Sequence, residues 1–506
     1  MKIPSRLPKH WIPPPLPLPA EATLVHTRFP LSRSGIPRRL AAVWFLSRWA
    51  LSRSITKKFD SAGAHHGLYH LTAAARYLNL AWVETIRQLT LRESPLTGVP
   101  ERYLRQTPAG PVSLDQVRWT IESELQCPLE HTFVSLDPIP VFTDAYSQTH
   151  KAHLTWGGEE VFVRVLHPGV CKQIDEDLRY IRIAIRFLKL TRIGKNLDAR
   201  NLLKDLHERL HQETDFRYQA RDMRLLRTSL YSHGVYIPRV YEQYSTQRIC
   251  VTECVPGLPL THFLDFQRRF PEISRHWSRS HRVLPASAGK RILFAFYAAV
   301  ADNGLLQEEV DSNMILLLAG GRVCITGPCH VLFLESEFRR NFLRKLAALM
   351  AGEIQTAAEL TLLSCERGIL SDAGRAVRWM SQIYSRWERE NLLPKDMAHA
   401  PLLSAIEREC AYAAYRIGFS PSLEWLRVLQ SWSQHDHLLR LMLNNPYQRK
   451  LLERFLKYHE KNRDFDGETQ PKEKRTVAET VSVFLAQMSQ LEEVERQKQV
   501  DHVGTE

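Results

Sequence analysis

Arg164 is a single basic residue between Val163 and Val165, in a stretch whose apolar residues predict a β-strand over 161–165. A charge in the middle of a strand with an apolar face needs a reason, because charges avoid full burial. One known reason is a cation that holds phosphate groups below a β-sheet. The alternative is an arginine that faces solvent on an edge strand, and this stretch alone does not decide between the two.

A second candidate for chemistry is the acidic run Glu308, Glu309 and Asp311, which is followed by Asn313. Phosphoryl transfer requires a cation on the phosphates, Mg²⁺ held by oxygen ligands and a carboxylate near the nucleophile. One of the carboxylates Glu308, Glu309 and Asp311 could serve as the metal ligand of an unorthodox ATPase. The alternative is a loop of solvated charges, which is the commoner fate of such runs.

A third candidate is the sequence His207-Glu208-x-x-His211, whose spacing places two imidazoles on one face of a helix, as zinc requires. No third ligand with a metalloprotease pattern follows downstream. A zinc hydrolase therefore remains an alternative to a surface helix with incidental histidines, and zinc analysis of the purified protein separates the two.

These candidates must be positioned by elements that the sequence also predicts. Gly157-Gly158 predicts a hairpin turn between strands at 152–154 and 161–165. Ser113, with Gln116 three residues later, predicts the start of a helix. Beyond residue 335 the apolar residues recur at three-four spacing, so this part of the chain is predicted to be almost wholly helical.

Two motifs around the hairpin resemble the UbiB/AarF family of atypical protein-kinase-like proteins. The runs Q-T-H-K-A-H-L at 148–154 and V-F-V-R-V-L-H-P-G-V at 161–170 are similar to that family's QVHRAxL and VAVKVxxPGV patterns. Residues 213–220 resemble its ELDYxxEA motif and 238–260 its strand-and-hinge segment. Residues 304–317 and 321–329 fall where the family has its catalytic loop and its Asp-Phe-Gly metal motif, so the resemblance covers roughly residues 80–365.

The resemblance implies an ATP site in which several residues are altered. Arg164 replaces the strand lysine, and its planar fork cannot be assumed to occupy the lysine's place. Glu213 matches the first glutamate of the helix motif, whereas the second glutamate is replaced by Gln219. Glu308 stands in place of the catalytic-loop aspartate, and Asn313 matches the metal-binding asparagine.

The metal motif carries the largest departure, because Gly327 stands where the family has its metal-binding aspartate. Glycine offers no side-chain oxygen, and Asn313 alone is a poor ligand set for Mg²⁺. We therefore expect bound ATP and Mg²⁺ to be weak or absent. Asp144, in the loop before the first long strand, is expected to repel phosphates and to weaken nucleotide binding further.

Two further positions of the family's pattern can be compared. The family's KxGQ motif is matched best by Thr85-Ile86-Arg87-Gln88, in which only the glutamine survives, so the family's lysine is absent or displaced. His150 matches the histidine of the QVH pattern and is interpreted as a structural histidine.

The composition is that of a globular protein, with 506 residues, 44% hydrophobic and 24% charged, and the net charge of +13 favours an anionic partner. The first 58 residues contain eleven Lys/Arg against the lone Glu21, and residues 38–58 predict an amphipathic helix that lies on a membrane surface or on the protein itself. Basic residues are otherwise spread along the chain, so no nucleic acid partner is expected. Eight scattered cysteines indicate no disulfide framework, and no apolar run is long enough for a transmembrane helix.

We predict a predominantly helical α+β, kinase-like, two-lobed fold. Its parts are a basic tail at 1–58, a helical extension at 59–135, an N-lobe at 136–258, a helical C-lobe at 259–445, and a charged linker and last helix at 446–506. The resemblance implies a pseudokinase that supports isoprenoid-quinone (ubiquinone) or lipid metabolism at a membrane surface. An active, unorthodox ATPase or kinase is the alternative.

The same resemblance implies the partners and the location. The expected partners are an anionic membrane surface or an isoprenoid lipid, together with proteins of a quinone-biosynthesis complex. The expected location is peripheral to a membrane, in the mitochondrion of a eukaryote or on the cytoplasmic face of a bacterial inner membrane.

Overall fold

The structure, a computed structural model, describes residues 80–93, 109–190, 199–327, 330–367, 371–392, 402–443 and 448–462. The predicted basic tail (1–58), with its amphipathic segment, and residues 463–506 of the predicted C-terminal linker and helix lie outside these residues.

The N-lobe is built on an antiparallel five-stranded sheet with the order β1-β3-β4-β6, in which β2 also pairs with β3. Its strands are β1 (Phe133–Leu136), β2 (Phe142–Thr143), β3 (Ser147–Leu154), β4 (Glu160–Leu166) and β6 (Ile249–Glu253). The predicted hairpin between β3 and β4 is confirmed. Gly157 and Gly158 have φ values of 87° and 62°, a left-handed conformation that favours glycine.

The two faces of β4 pack against different helices because side chains alternate along a strand. Val161, Val163 and Val165 share a buried apolar cluster with Val117 and Ile121 of helix α2 (Leu114–Leu125). The α2 helix begins as predicted, with the Ser113 hydroxyl accepting from the Gln116 N–H at 3.4 Å. Arg164, being out of phase with the three valines, faces the opposite side of the sheet.

Four helices cover that opposite side. They are α1 (Ala81–Glu93), α4 (Val170–Leu190), α5 (Ala199–Thr214) and α6 (Phe216–Leu230), and a short helix, α3 (Leu129–Thr132), precedes β1. Leu202 and Leu206 of α5 are buried in one cluster with Ile86 of α1. The Asp215 carboxylate caps α6 by accepting from the Arg217 N–H at 3.0 Å, so the chain starts a new helix directly after Glu213 and Thr214.

Short strands lie between the sheet lobe and the helical lobe. A four-stranded sheet has the order β5 (Val235–Tyr236), β10 (Val323–Ile325), β9 (Ile315–Leu317), β7 (Leu258–Pro259). A separate pair joins β8 (Leu305–Gln307) to β11 (Val331–Phe333). These pairings bring the loop after β8 beside the segment before β11, where the Glu308 N–H donates to the His330 carbonyl at 2.9 Å.

The helical lobe packs its helices around a tryptophan-rich core. The helices are α7 (Leu260–Arg269), α8 (Pro271–Ser280), α9 (Pro285–Ala298), α10 (Ser336–Ala351), α11 (Ile354–Leu362), α12 (Ala373–Leu392), α13 (Leu403–Arg416), α14 (Leu423–Met442) and α15 (Gln448–Asn462). Strands β12 (Cys365–Arg367) and β13 (Phe419–Pro421) form a small pair beside them. Trp387, Trp425 and Trp432 are fully buried in this core, and the predicted α+β, predominantly helical class is confirmed.

The element boundaries differ from the predicted ones at two places. Strand β1 begins at Phe133, within the predicted helical extension, because Phe133 packs into the apolar cluster of the sheet. Helix α15 buries Leu452 and Phe455 in the core of the helical lobe, so the first part of the segment 446–506, predicted as a charged linker and a last helix, packs with this lobe. In the described part of the chain, no helix has both the length and the apolar character needed to cross a bilayer.

Candidate functional site

Arg164 is bound on three sides by other residues of the protein. Its Nε donates to the Ser147 hydroxyl, its Nη1 to the Gln219 amide oxygen and its Nη2 to the Asp144 carboxylate, each at 2.7 Å. The Phe216 ring lies 4.9 Å from the guanidinium carbon. Arg164 is only 8% exposed and β4 has strand neighbours on both sides, so the alternative of a solvent-facing arginine on an edge strand was wrong.

The two glutamate positions of the helix motif, Glu213 and Gln219, have different partners. The neutral Gln219 contacts Arg164, whereas the retained acid, Glu213, lies 3.0 Å from Nε2 of the buried His330. Burial alone would raise the pKa of Glu213, but His330, Arg209 and Arg164 together lower it to about 2. His330 shows the opposite shift, because Glu213 raises its pKa against the effect of burial. Glu213 and His330 therefore lie within ion-pair distance, and the pKa of each is shifted in the direction that favours its charged form.

The acidic loop after β8 is held by Arg209, which projects from α5. Arg209 contacts the Glu308 carboxylate, and its Nη2 donates to Glu309 at 2.7 Å. Its Nε also lies 3.5 Å from a carboxylate oxygen of Glu84 in α1. The side chain of Arg209 is 9% exposed and that of Glu308 is 12% exposed, so this ion pair is largely shielded from water.

Helix α1 supplies a second cation to the same loop. Arg87 contacts Glu309 and donates to Glu84 at 2.9 Å, and Gln88 donates to Glu84 at 3.0 Å. Burial would raise the pKa of Glu309, but Arg87 and Arg209 lower it, and the same two arginines lower the pKa of Glu84. At the family's lysine position, the Thr85 hydroxyl donates to the Ala81 carbonyl at 2.7 Å. The nearest cation of this motif is Arg87, two residues further along the chain, and it contacts the chain's own glutamates.

The predicted metal ligands are not gathered around one point. Asn313 is exposed in the short turn Ser312–Met314, and its N–H donates to the Asp311 carboxylate at 3.2 Å. Asp311 therefore serves as the cap of this turn. Within the described ranges, no cluster of three or more His, Cys, Asp or Glu side chains has a geometry that would hold a metal ion.

Gly327, at the position of the metal-binding aspartate, lies directly against Met314. A Cβ atom placed on Gly327 would lie 2.6 Å from Cγ and 2.8 Å from Sδ of Met314, which is closer than carbon atoms approach in proteins. The space for a side chain at this position is therefore occupied. Together with the neutralised Arg164 and Arg209, this arrangement does not fit a magnesium–nucleotide complex.

The structure also shows the surroundings of the other histidines that the sequence singled out, His150, His207 and His211. His150 is fully buried, with Nδ1 2.7 Å from the Asp137 carbonyl oxygen and Nε2 2.8 Å from the Gln148 amide nitrogen, so its interpretation as a structural histidine is confirmed. His207 and His211 lie on the exposed face of α5 with their rings parallel and 6.5 Å apart. Glu208 lies 3.7 Å from Lys204.

Arg209 is the central residue that sequence reasoning missed. It lies inside the stretch 207–211, where the histidine spacing drew attention to the opposite face of the helix. The sequence contained a signal for it. Arg209 lies on the same helical face as Leu202, Leu206 and Leu210, which is buried, and an unpaired charge on a buried face is destabilising.

Comparisons with known proteins match the part of the chain that contains most of this site. A family model described as ABC1 atypical kinase-like domain matches residues 105–361. An uncharacterised aarF domain-containing protein kinase of Arabidopsis thaliana, named as chloroplastic, is 29% identical over 175 residues, which cover 33% of this chain and 32% of that protein. A probable protein kinase UbiB of Shewanella loihica is 27% identical over 231 residues, which cover 45% of this chain and 41% of that protein.

A solved Mycobacterium tuberculosis structure, a complex with erythromycin, is also similar, with a TM-score of 0.45 and 19% identity over 64% of this chain and 83% of that one. The chain matches the two sequence relatives over 32% and 41% of their length.

Proposed function

The chain belongs to the ABC1 atypical kinase-like family, as its resemblance to UbiB/AarF proteins predicted, and on this premise we propose that it is a non-catalytic member. Its kinase-like fold serves binding, and phosphoryl transfer is lost. The observation that carries the proposal is Gly327, because Met314 fills the space in which the aspartate ligand of a magnesium ion would stand.

The charges of the cleft support the same proposal. In phosphoryl transfer a strand cation contacts phosphates and a loop carboxylate stands near the nucleophile. In this chain Arg164 is neutralised by Asp144, and Glu308 is bound by Arg209. Both groups would have to break buried ion pairs before they could contact a nucleotide, and breaking such a pair is costly.

We extend the proposal to the setting implied by the family. The chain supports isoprenoid-quinone (ubiquinone) or lipid metabolism as a peripheral protein of an anionic membrane, together with proteins of a quinone-biosynthesis complex. In a eukaryote this membrane would be mitochondrial, and in a bacterium it would be the cytoplasmic face of the inner membrane. The net charge of +13 supports an anionic partner.

The test of the non-catalytic role is the melting temperature of the full chain with and without Mg-ATP. A ligand that binds the folded state at 100 times its Kd stabilises it by about 2.7 kcal/mol, so binding would be visible as a shift. We expect no shift up to millimolar Mg-ATP and no release of phosphate.

A turnover that vanishes in Glu308→Ala and in Asn313→Ala would contradict the proposal. It would establish the alternative, an ATPase that uses unorthodox ligands. An arginine on an exposed helix, Arg375→Ala, is the matched control, since it should leave any turnover unchanged.

A further inference from the structure

A basic surface is present on the helical lobe. Between residues 268 and 282 the chain has five arginines and one glutamate. The side chains of Arg268, Arg269 and Arg275 are 78%, 53% and 63% exposed, and Arg279 and Arg282 are exposed as well. Arg268 and Arg269 lie 2.5 and 3.0 Å from the Asp265 carboxylate. We call the surface formed by α8 and the adjoining residues 281–284 and 319–322 the basic face.

Helix α8 presents most of its circumference to solvent. Its buried residues are Ser274 and Trp277, and the Trp277 ring packs 5.9 Å from Phe266 and 6.5 Å from Phe263 of α7. Arg275 and Arg279 are four residues apart and lie next to each other on the open side. One of these two charges is compensated within the helix, since Arg275 lies 2.7 Å from Glu272.

A turn of the second sheet extends the basic face. The Gly320 N–H donates to the Arg282 carbonyl at 2.9 Å, and Val283 forms a β-bridge with Ala319. Arg322 follows in this turn. Burial and the neighbouring Arg291 lower the pKa of Arg322, which indicates that positive charges are concentrated here.

Exposed apolar side chains occur in the same segment of the chain. Phe270 is 37% exposed, Ile273 56% and Leu284 43%. A nucleic acid backbone would use the arginines but would leave these side chains in water. A membrane surface uses both, because anionic headgroups attract the cations while apolar side chains enter the boundary of the acyl chains.

We propose that the basic face, formed by α8 with residues 281–284 and 319–322, binds the anionic surface of a lipid bilayer. This inference rests on the proposed membrane role and names the surface that performs it. It places the attachment on the folded helical lobe, whereas the sequence alone suggested the segment 38–58.

The test is co-sedimentation of the full chain with vesicles of phosphatidylcholine containing 30% phosphatidylglycerol, compared with pure phosphatidylcholine. The first variant is Arg275→Glu/Arg279→Glu/Arg282→Glu. The matched control reverses three exposed arginines of α12, in Arg375→Glu/Arg378→Glu/Arg389→Glu, with the same change in net charge. The second variant, Ile273→Ser/Leu284→Ser, removes apolar surface without changing the charge.

We expect binding to the anionic vesicles only, a loss of about tenfold or more in the first variant and a several-fold loss in the second. The control should retain most of the binding, and circular dichroism should show all variants folded. If the first variant and the control lost vesicle binding equally, the loss would follow from the change in net charge alone, and the proposal would be overturned. Unchanged binding in the first variant would assign attachment to another part of the chain.

Single-stranded RNA serves as a competing probe at the same salt concentration. Tight RNA binding that is lost in the arginine variant but not in Ile273→Ser/Leu284→Ser would make the basic face a nucleic-acid site and would also overturn the proposal. The Mg-ATP melting experiment does not involve these residues. A failure of the membrane inference would therefore not affect the proposal that the chain is non-catalytic. A failure of the non-catalytic proposal would likewise not affect the membrane inference.

Discussion

The cleft between the lobes and the core of the helical lobe both contain buried ion pairs, but the two networks differ in size and in exposure to water. In the helical lobe, Lys345 lies 2.7 Å from Glu407, which also accepts from the Tyr384 hydroxyl at 2.7 Å. The Thr361 hydroxyl lies 2.7 Å from that of Tyr384, and none of the four residues is more than 3% exposed. One positive and one negative charge are balanced, and both carboxylate oxygens have partners.

The network of the cleft is larger and is partly open to water. Glu84, Glu308 and Glu309 share three arginines, Arg87, Arg209 and Arg427, of which Arg427 lies 3.7 Å from Glu308. The Glu309 side chain is 25% exposed. A fully buried one-to-one pair fixes the packing around it, whereas several charges that share partners near water depend on each arginine and on pH. The first network is therefore structural, whereas under the proposed non-catalytic role the second is a former reaction site closed by the protein's own cations.

The largest expected effect is in the helical lobe. Lys345→Met leaves Glu407 buried without its cation and should lower the free energy of unfolding by about 3–5 kcal/mol. Because water cannot reach Glu407, the double variant Lys345→Met/Glu407→Leu should recover most of this loss. Denaturant unfolding of the two single variants and the double variant measures the coupling. Additive losses in the double variant would show that the two charges do not act as a pair.

Arg209→Met should have the next largest effect, a loss of about 2–4 kcal/mol at pH 7, because it leaves the three carboxylates with only Arg87 and the more distant Arg427 as cationic partners. Water can enter the cleft at Glu309, so the loss should be smaller than in the helical lobe. Lys204→Met, on the exposed face of the same helix, is the control. If Arg209→Met were as stable as this control, the cleft network would contribute nothing to folding.

The pair Glu213–His330 should make stability depend on pH in both directions. The pKa of Glu213, about 2 in the folded chain, lies below its value in the unfolded chain, so its contribution is present above about pH 4.3 and is lost as the pH falls toward 2. The pKa of His330 is raised, so its contribution is present below about pH 6.5 and is lost as the pH rises through the folded value.

The difference in unfolding free energy between the natural chain and His330→Gln should therefore be greatest near pH 5–6, at about 1–3 kcal/mol, and should shrink on both sides. Urea unfolding across pH 3–9 measures it. A difference that is independent of pH would mean that His330 is neutral throughout and that the two residues form no ion pair.

The sequence predicted the local features of this fold better than the partners of its charges. Gly157-Gly158 and Ser113 act through neighbours only a few residues away, so their hairpin and cap could be predicted. The partner of Arg164 could not, because Gln219 lies 55 residues further along the chain and is reached only when α6 packs against β4. Asp144 was expected to repel a nucleotide, and in the structure it neutralises Arg164.

Restoring the lost carboxylate should cost little stability and should not restore the metal site. Gly327→Asp forces the flexible Met314 side chain to move, so we expect a loss of about 1–2 kcal/mol, which Met314→Ala should partly relieve. Gly327→Ala has the same crowding without the charge and is the control. Mg-ATP should still give no melting shift, because Arg164 remains bound to Asp144. A shift in Gly327→Asp alone would show that the aspartate was the single missing part.

The smallest effect is expected on the other face of α5, opposite the buried Arg209. His207→Ala/His211→Ala should change the unfolding free energy by no more than about 0.5 kcal/mol, since both rings are exposed. Elemental analysis should find well below one zinc per chain. Within five positions of one helix, removal of the buried Arg209 would then be strongly destabilising, whereas removal of the exposed His207 and His211 would not be. Burial would be the cause of the difference. Stoichiometric zinc that is lost in this variant would instead make the exposed face of α5 a metal site and would revive the hydrolase alternative.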